Sequence, residues 1–282
     1  MPLAPPRLIL ALAISLLGPM SLALPCSAAE EPPAKAGSLV IVGGGGMPDD
    51  VRDRFVELAG GKDARIVVIP TASEAADDEN ERESYLKPWR KYQPQSIDYL
   101  HTRSREKADD PAFVAPIEKA TAVWFGGGDQ SKITAAYRDT AVHRALRALL
   151  ARGGVIGGTS AGAAIMSDVM IEGGNPRAEV GSGLGFTKNI VVDQHFLARS
   201  RINRLLGVVA ERPGLVGIGI DEATAFVITG DRWSVLGKSF VLAIAPSESG
   251  PPRFESFRPG DAGRLPERGM PVVERRRRGE DD

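Results

Sequence analysis

The sequence predicts an α/β fold: a largely parallel central sheet with helices on both faces, closed by late antiparallel strands. Three observations carry this. Short apolar runs alternate with amphipathic stretches of helical period. The runs are apolar at successive positions, as in strands covered on both faces. Three of them end in glycine-rich turns, at residues 43–46, 126–128 and 158–162, and the carboxyl edge of such a sheet is where sites form.

In order, residues 38–42 read as a first strand. The turn after it is no dinucleotide loop, because Pro48 stands where G-x-G-x-x-G needs its third glycine. Residues 51–59 read as a helix with Val51, Phe55, Leu58 and Ala59 on one face. Residues 65–69 form a strand stopped by Pro70, and 71–83 an acidic loop. Residues 84–93 form a helix interrupted by Pro88, 97–100 a strand and 112–118 a weak helix. The strand at 121–125 runs into Gly126-Gly127-Gly128-Asp129-Gln130, followed by one helix expected over 133–150. Val155-Ile156 ends the next buried strand, and a helix starts at Ala161. Residues 190–192 are a strand, followed by a helix to about 210. Residues 215–220 and 225–229 are strands, and 233–235 and 240–244 are the late antiparallel pair.

At the amino end, Arg7 precedes an apolar run over 8–24, and Ser27-Ala28-Ala29 supplies the small residues of a cleavage site. Residues 1–29 are therefore read as a signal peptide cleaved after Ala28 or Ala29, and the mature protein as exported. No membrane association is expected after cleavage. Residues 30–37 read as a Pro/Ala linker, 38–246 as the folded domain and 247–282 as a Pro-, Gly- and Arg-rich tail, solvated and partly disordered. In that tail the arginines at 275–278 are balanced by Glu274, Glu280, Asp281 and Asp282. A net charge of −1 makes no case for nucleic acid. Three histidines and one cysteine, Cys26, leave no Cys/His metal site. No cofactor or metal is expected, and a homodimer is compatible with the sequence.

The chemistry centres on Gly158-Thr159-Ser160-Ala161-Gly162, a G-x-S-x-G match that makes a tight strand-to-helix turn and holds a serine hydroxyl exposed. The helix behind Ser160 would favour negative charge on a substrate oxygen. A serine needs a base. His195 follows an apolar strand at the same sheet edge. His143, within a helix, and His101, beside a charged loop, read as surface residues. For the acid that orients the base, Glu222 is favoured because it follows an adjacent strand. Asp193, Asp221 and Glu172 are the alternatives. The N–H of Ala161 and those of Gly127 or Gly128 are candidates for an oxyanion hole. Arg199, Arg201 and Arg204 gather at a helix start, where cations oppose the dipole, so an anion should answer them: Asp193 or a substrate carboxylate.

Taken together, Phe125-Gly-Gly-Gly-Asp-Gln130, Gly158-Thr-Ser-Ala-Gly-Ala163, Asp193-Gln-His-Phe-Leu-Ala-Arg-Ser-Arg-Ile-Asn-Arg-Leu205 and Gly219-Ile-Asp-Glu-Ala-Thr-Ala225 resemble the cyanophycinase and aspartyl dipeptidase family of serine peptidases. The resemblance covers most of 38–244 and implies a class I glutamine amidotransferase-like fold with flavodoxin-like layers. It implies a serine exopeptidase cleaving at aspartyl residues, with cyanophycin or other β-aspartyl peptides as substrate. It assigns catalysis to Ser160, His195 and Glu222, and the substrate pocket to Gln130, Asp193, Gln194, Arg199, Arg201 and Arg204. A broader isoaspartyl peptidase and a catalytically silent peptide-binding homologue are the competing readings.

Overall fold

The protein is described by a computed structural model covering Met1 and residues 36–247, 250–266 and 269–274. The signal-peptide reading and the arginine run at 275–278 lie outside the described residues. Five parallel strands form the heart of a nine-stranded sheet: β1 (Ser38–Val42), β2 (Arg65–Ile69), β3 (Ser96–Tyr99), β4 (Ala122–Phe125) and β5 (Val155–Thr159), ordered β1-β5-β4-β2-β3. Both faces of β1, β2, β4 and β5 are buried, while the edge strand β3 is partly exposed. Leu39 and Ile41 of β1 join one core with α3 (Arg105–Asp109), α4 (Pro111–Lys119), α5 (Gln130–Tyr137) and α6 (Ala141–Ala151). Val40 and Val42 join another with α1 (Asp49–Ala59) and α2 (Arg82–Arg90). This two-sided burial is why the strands read as continuous apolar runs. Phe55 of α1, Trp89 of α2 and Trp124 of β4 pack with ring centroids 5.0–5.1 Å apart, and burying one such side chain contributes about 1.5–3 kcal/mol.

The helix expected over 133–150 is two helices. The chain breaks between α5 and α6, where Asp139 takes φ 63° and Thr140 starts the second helix. After the one-turn α7 (Ala161–Ala164) comes a hairpin unread in the sequence, β6 (Val169–Gly173) and β7 (Glu179–Ser182).

The remaining strands divide between two sheets, a division the apolar runs did not signal. A four-stranded sheet has the order β13-β12-β9-β8. It is built from β8 (Ile190–Gln194), β9 (Val216–Ile220), β12 (Val241–Ala245) and β13 (Arg253–Phe257), with β8 and β9 parallel and the rest antiparallel. Val192, Ile218, Ile220 and Val241 bury its inner face in the same core as Leu39 and Ile41. Its outer face packs through Val191 and Ile244 on Leu205, Val208 and Val209 of α8 (Ile202–Glu211). Meanwhile β10 (Thr224–Thr229), β11 (Arg232–Gly237), β14 (Ala262–Arg264) and β15 (Val272–Val273) extend the large sheet antiparallel beyond β1.

The domain end expected at 246 is corrected. β13 completes the small sheet and β14–β15 the large one, with Phe257 fully buried. Pro and Gly in this stretch mark its turns.

Candidate active site

The three glycine turns fall side by side. Register pairs Val42 with Thr159 and Phe125 with Gly158, so the turns after β1, β4 and β5 share one edge. Ser160 sits between β5 and α7 at φ 53°, ψ −110°, a conformation L residues seldom adopt. The flanking glycines allow it. A Cβ on Gly158 would lie 2.4 Å from Gly162 O, and one on Gly162 2.5 Å from Phe125 O. The Ser160 N–H donates to Val42 O at 3.0 Å, and Ala163 and Ala164 donate to Ser160 O.

His195 and Glu222 arrive from the other sheet. His195 follows β8 with φ 49°, and its N–H donates to Gly43 O at 2.7 Å. Glu222 lies in the short crossing from β9 in the small sheet to β10 in the large one. Ser160 Oγ is 2.9 Å from His195 Nε2, and His195 Nδ1 is 2.5 Å from Glu222 Oε1. The tautomer satisfying both contacts carries its proton on Nδ1 and accepts the serine O–H at Nε2.

The turn at 43–46, left without a role in the sequence, forms the floor beneath these groups. A Cβ on Gly44 would stand 2.3 Å from the His195 ring, and one on Gly45 2.4 Å from the Glu222 side chain. Four successive glycines are more than a strand end needs, and that excess was the available signal.

Around the hydroxyl, the N–H groups of Gly127 and Gly128 meet no acceptor among the described residues. A Cβ on Gly127 would be 3.9 Å from Ser160 Oγ. Ala161 opens α7, where an N–H has no intrahelical acceptor. With only one turn behind it, the dipole expected to help is small, and any stabilisation of an anion rests on these individual groups.

The arginines divide by role. Arg204, 4% exposed, donates from Nε and Nη2 to Asp193 at 2.8 and 2.5 Å and from Nη1 to Gly174 O at 2.8 Å. All three nitrogens are engaged by the protein, so Arg204 holds Asp193 and the β6–β7 turn. The anion that answers it is Asp193. Burial pushes the Asp193 carboxyl above its usual range, while Arg204 and then Arg201 pull it back. Arg201 donates from Nη1 to Gln194 O and Oε1 at 2.6 and 2.9 Å. Its Nε and Nη2 have no acceptor among the described residues. Arg199 is exposed, and its side chain has no hydrogen-bond or ion-pair partner there. Gln130 is buried and donates to Ile171 O and Glu172 O, tying α5 to β6.

The other two histidines are not the surface residues expected. His143 is buried. Its Nε2 donates to Leu184 O at 2.7 Å and its Nδ1 accepts from Asp139 N–H at 3.1 Å. Burial lowers its pKa. The His101 side chain is 8% exposed and bridges Thr71 Oγ1 and Asp77 Oδ1 at 2.9 and 2.8 Å. Neither touches Ser160. Among the described residues no group of three or more His, Cys, Asp or Glu is arranged to hold a metal, and no helix is long and apolar enough to cross a membrane.

A serine hydroxyl held at a strained turn over the carboxyl edge of a parallel sheet, with an imidazole in reach, defines the class: the chain is a serine-type hydrolase. Residues 39–236 match the family model of Peptidase family S51. The chain belongs to that family and is a serine-type peptidase. It is 36% identical over 219 residues to a cyanophycinase of Nostoc sp., covering 72% of each chain. It is 36% identical over 204 residues to a cyanophycinase of Geminocystis herdmanii, covering 69% of this chain and 74% of that one. The crystal structure of a peptidase from an acI-B1 Actinobacterium superposes with a TM-score of 0.67 at 25% identity, over 82% of this chain and 98% of that chain.

Proposed function

We propose that this chain is an exported serine exopeptidase of cyanophycinase type, hydrolysing cyanophycin or related β-aspartyl peptides through Ser160, His195 and Glu222. The observation that carries the reading is the unbroken line of contacts, 2.9 Å from Ser160 Oγ to His195 Nε2 and 2.5 Å from His195 Nδ1 to Glu222 Oε1. In this reading Ser160 Oγ attacks the scissile carbonyl while its proton passes to His195 Nε2. Glu222 stabilises the imidazolium. The oxyanion takes hydrogen bonds from the N–H groups of Ala161 and of Gly127 or Gly128. Collapse of the tetrahedral adduct breaks the C–N bond, and the His195 proton goes to the departing amine. A water, deprotonated by the same imidazole, then releases the acyl group and restores Ser160.

Substrate choice follows from the cations left unanswered. A β-linked aspartyl residue carries its free α-carboxylate beside the scissile amide. Arg201, through Nε and Nη2, and Arg199 are the donors the protein leaves open to it, with Gln194 bonded to Arg201 beside them. Arg204 and Asp193 serve recognition by holding this wall in place. Export rests on the amino-terminal segment. Cell fractionation with sequencing of the mature amino terminus checks it, with a start after Ala28 or Ala29 expected.

The deciding experiment incubates mature protein with cyanophycin and with β- and α-aspartyl dipeptides, read by mass spectrometry, alongside labelling with a fluorophosphonate. Release of β-Asp-Arg and labelling at Ser160 are expected. Cleavage of dipeptides alone would shift the assignment to a general isoaspartyl peptidase. Absence of both turnover and labelling would leave a peptide-binding protein.

A further inference from the structure

Asp221 was a candidate for the acid that orients His195, and Glu222 fills that place. What Asp221 does instead is legible in its contacts. Its Oδ1 accepts the N–H groups of Leu197 and Ala198 at 3.0 and 2.9 Å, and its Oδ2 accepts the Ser239 hydroxyl at 2.7 Å. Its own N–H donates to Phe240 O at 3.2 Å. One carboxylate thereby ties the turn that follows His195 to the loop that follows β11. That loop also reaches the next residue along. Ser239 N–H donates to Thr224 Oγ1 at 2.9 Å, and Thr224 Oγ1 donates to Glu222 O at 3.1 Å. Lys238 N–H donates to Ala223 O at 2.9 Å.

His195 and Ala223 both hold positive φ, 49° and 52°. A non-glycine residue stays in that region only where its surroundings over-determine it, at a cost of about 1–3 kcal/mol each. Around His195 the fixed points are Gly43 O, the Arg199 N–H, the bond from Phe196 N–H to Ile220 O, and the two N–H groups on Asp221. Asp221 is the side chain among them: it stands in the turn that carries Glu222 and bonds to the turn that follows His195.

We infer that Asp221 is a positioning residue of the hydrolysis, fixing His195 against Glu222 by clamping their two turns together. The inference rests on the reading of Ser160, His195 and Glu222 proposed above. The role is geometric. An asparagine keeps Oδ1 for the two N–H groups, and its Nδ2 donates to a Ser239 hydroxyl that turns to accept.

The test compares Asp221→Ala, Asp221→Asn and Ser239→Ala with wild type and Ser160→Ala, by kcat and KM on one β-aspartyl peptide and by the pH profile of kcat/KM. Asp221→Ala should lower kcat about ten- to a hundredfold with KM within about threefold, since misplacing a reacting group by an ångström has costs of that order. Its acid limb should shift as the imidazole loses its register with Glu222. Asp221→Asn should recover to within about threefold of wild type, and Ser239→Ala should fall between the two. If Asp221→Ala does not fold, Ser239→Ala and Asp221→Asn still decide: a wild-type rate in the first, or an asparagine variant folded but as slow as Ser160→Ala, overturns the inference. So does an Asp221→Ala enzyme with lowered melting temperature and unaltered kcat and pH profile. Activity that survives Ser160→Ala overturns the triad reading and this inference with it. Activity that needs Ser160 but not Asp221 overturns this inference alone.

Discussion

The two walls of the candidate site are made from different materials. The wall on the large sheet, around Ser160, is backbone. Its turns are glycine, its bonds are main-chain N–H to C=O, and among Ser160, Gly127, Gly128 and Ala161 there is no charge. The wall on the small sheet is side chains, most of them charged, in hydrogen-bonded contact: His195 on Glu222, Arg204 on Asp193, and Arg201 on Gln194 beside Asp193 at 3.7 Å. A backbone wall tolerates loss of a side chain and fails when one is added. An ionic wall fails when one partner is removed and the other is left buried and unanswered.

The largest effect that sharpens this contrast is Ser160→Ala. Removing one oxygen from the backbone wall should lower kcat by about three or more decades with no change in melting temperature. Activity near wild type would remove the basis of the mechanism. On the ionic wall, Glu222→Gln should cost about two or more decades in kcat with little change in KM, because in the proposed mechanism Glu222 acts on the base. Asp193→Asn should act chiefly on KM. A reversal of those two phenotypes would exchange their roles. Adding a methyl is the next break. Gly44→Ala sets a Cβ 2.3 Å from the His195 ring at a φ of 100°, and should cost about a hundredfold in kcat/KM through displacement of the base. A fully active variant would show that the floor yields.

Arg204 and Arg199 separate holding from reading. Arg204→Met leaves the Asp193 carboxylate buried without its bidentate partner and should cost about 3–5 kcal/mol in denaturant unfolding. Arg199→Met should leave stability unchanged and lower kcat/KM for β-aspartyl peptides about tenfold while sparing a neutral ester, at about 1.5–3 kcal/mol per charged hydrogen bond. Equal losses on both substrates would make Arg199 a shaping residue. The smallest effect lies outside both walls. The His143 pKa is lowered by burial, so above about pH 6.5 folded and unfolded chains are both neutral there. As pH falls below that, the unfolded chain takes a proton that the folded one refuses, and stability is lost by at most about 1.4 kcal/mol per pH unit. His143→Gln should flatten that slope between pH 7 and 5. An unchanged slope would clear His143.

These materials also decide what was legible in sequence. The backbone wall announces itself, because G-x-S-x-G and Gly126-Gly127-Gly128 are local patterns whose geometry is dictated by the residues in them. The parallel strands were equally plain from their two-sided apolar runs. The ionic wall is non-local. Residue order gives His195 and Glu222 their edge position, but nothing in Ile190–Gln194 or Val216–Ile220 says that they form a second sheet. Nor does a cluster of arginines say which one is buried: Arg204 falls on the inner face of α8 with Leu205 and Val208, and Arg199 precedes the helix. The break at Asp139 lacks glycine or proline, and Thr140 ahead of an apolar run was its one signal. The hairpin of β6 and β7 was hidden by composition, since Glu179–Ser182 is half exposed and lacks the apolar run that marks strands of the same length elsewhere.

The last strands carry a consequence for the chain's life as a solute. β12 lies between β9 and β13, and β11 between β10 and β14. The family match ends at residue 236, before β12, β13 and β14 begin. A chain cut at Ser247 would keep every group of the candidate site yet bare the flanks of β11 and β12, including fully buried Val235 and Ile244, as rows of unpaired N–H and C=O groups. Such flanks recruit strands from other molecules. The truncated protein should sediment as aggregates where the full chain remains dispersed, which makes the carboxyl-terminal strands a guard against self-association.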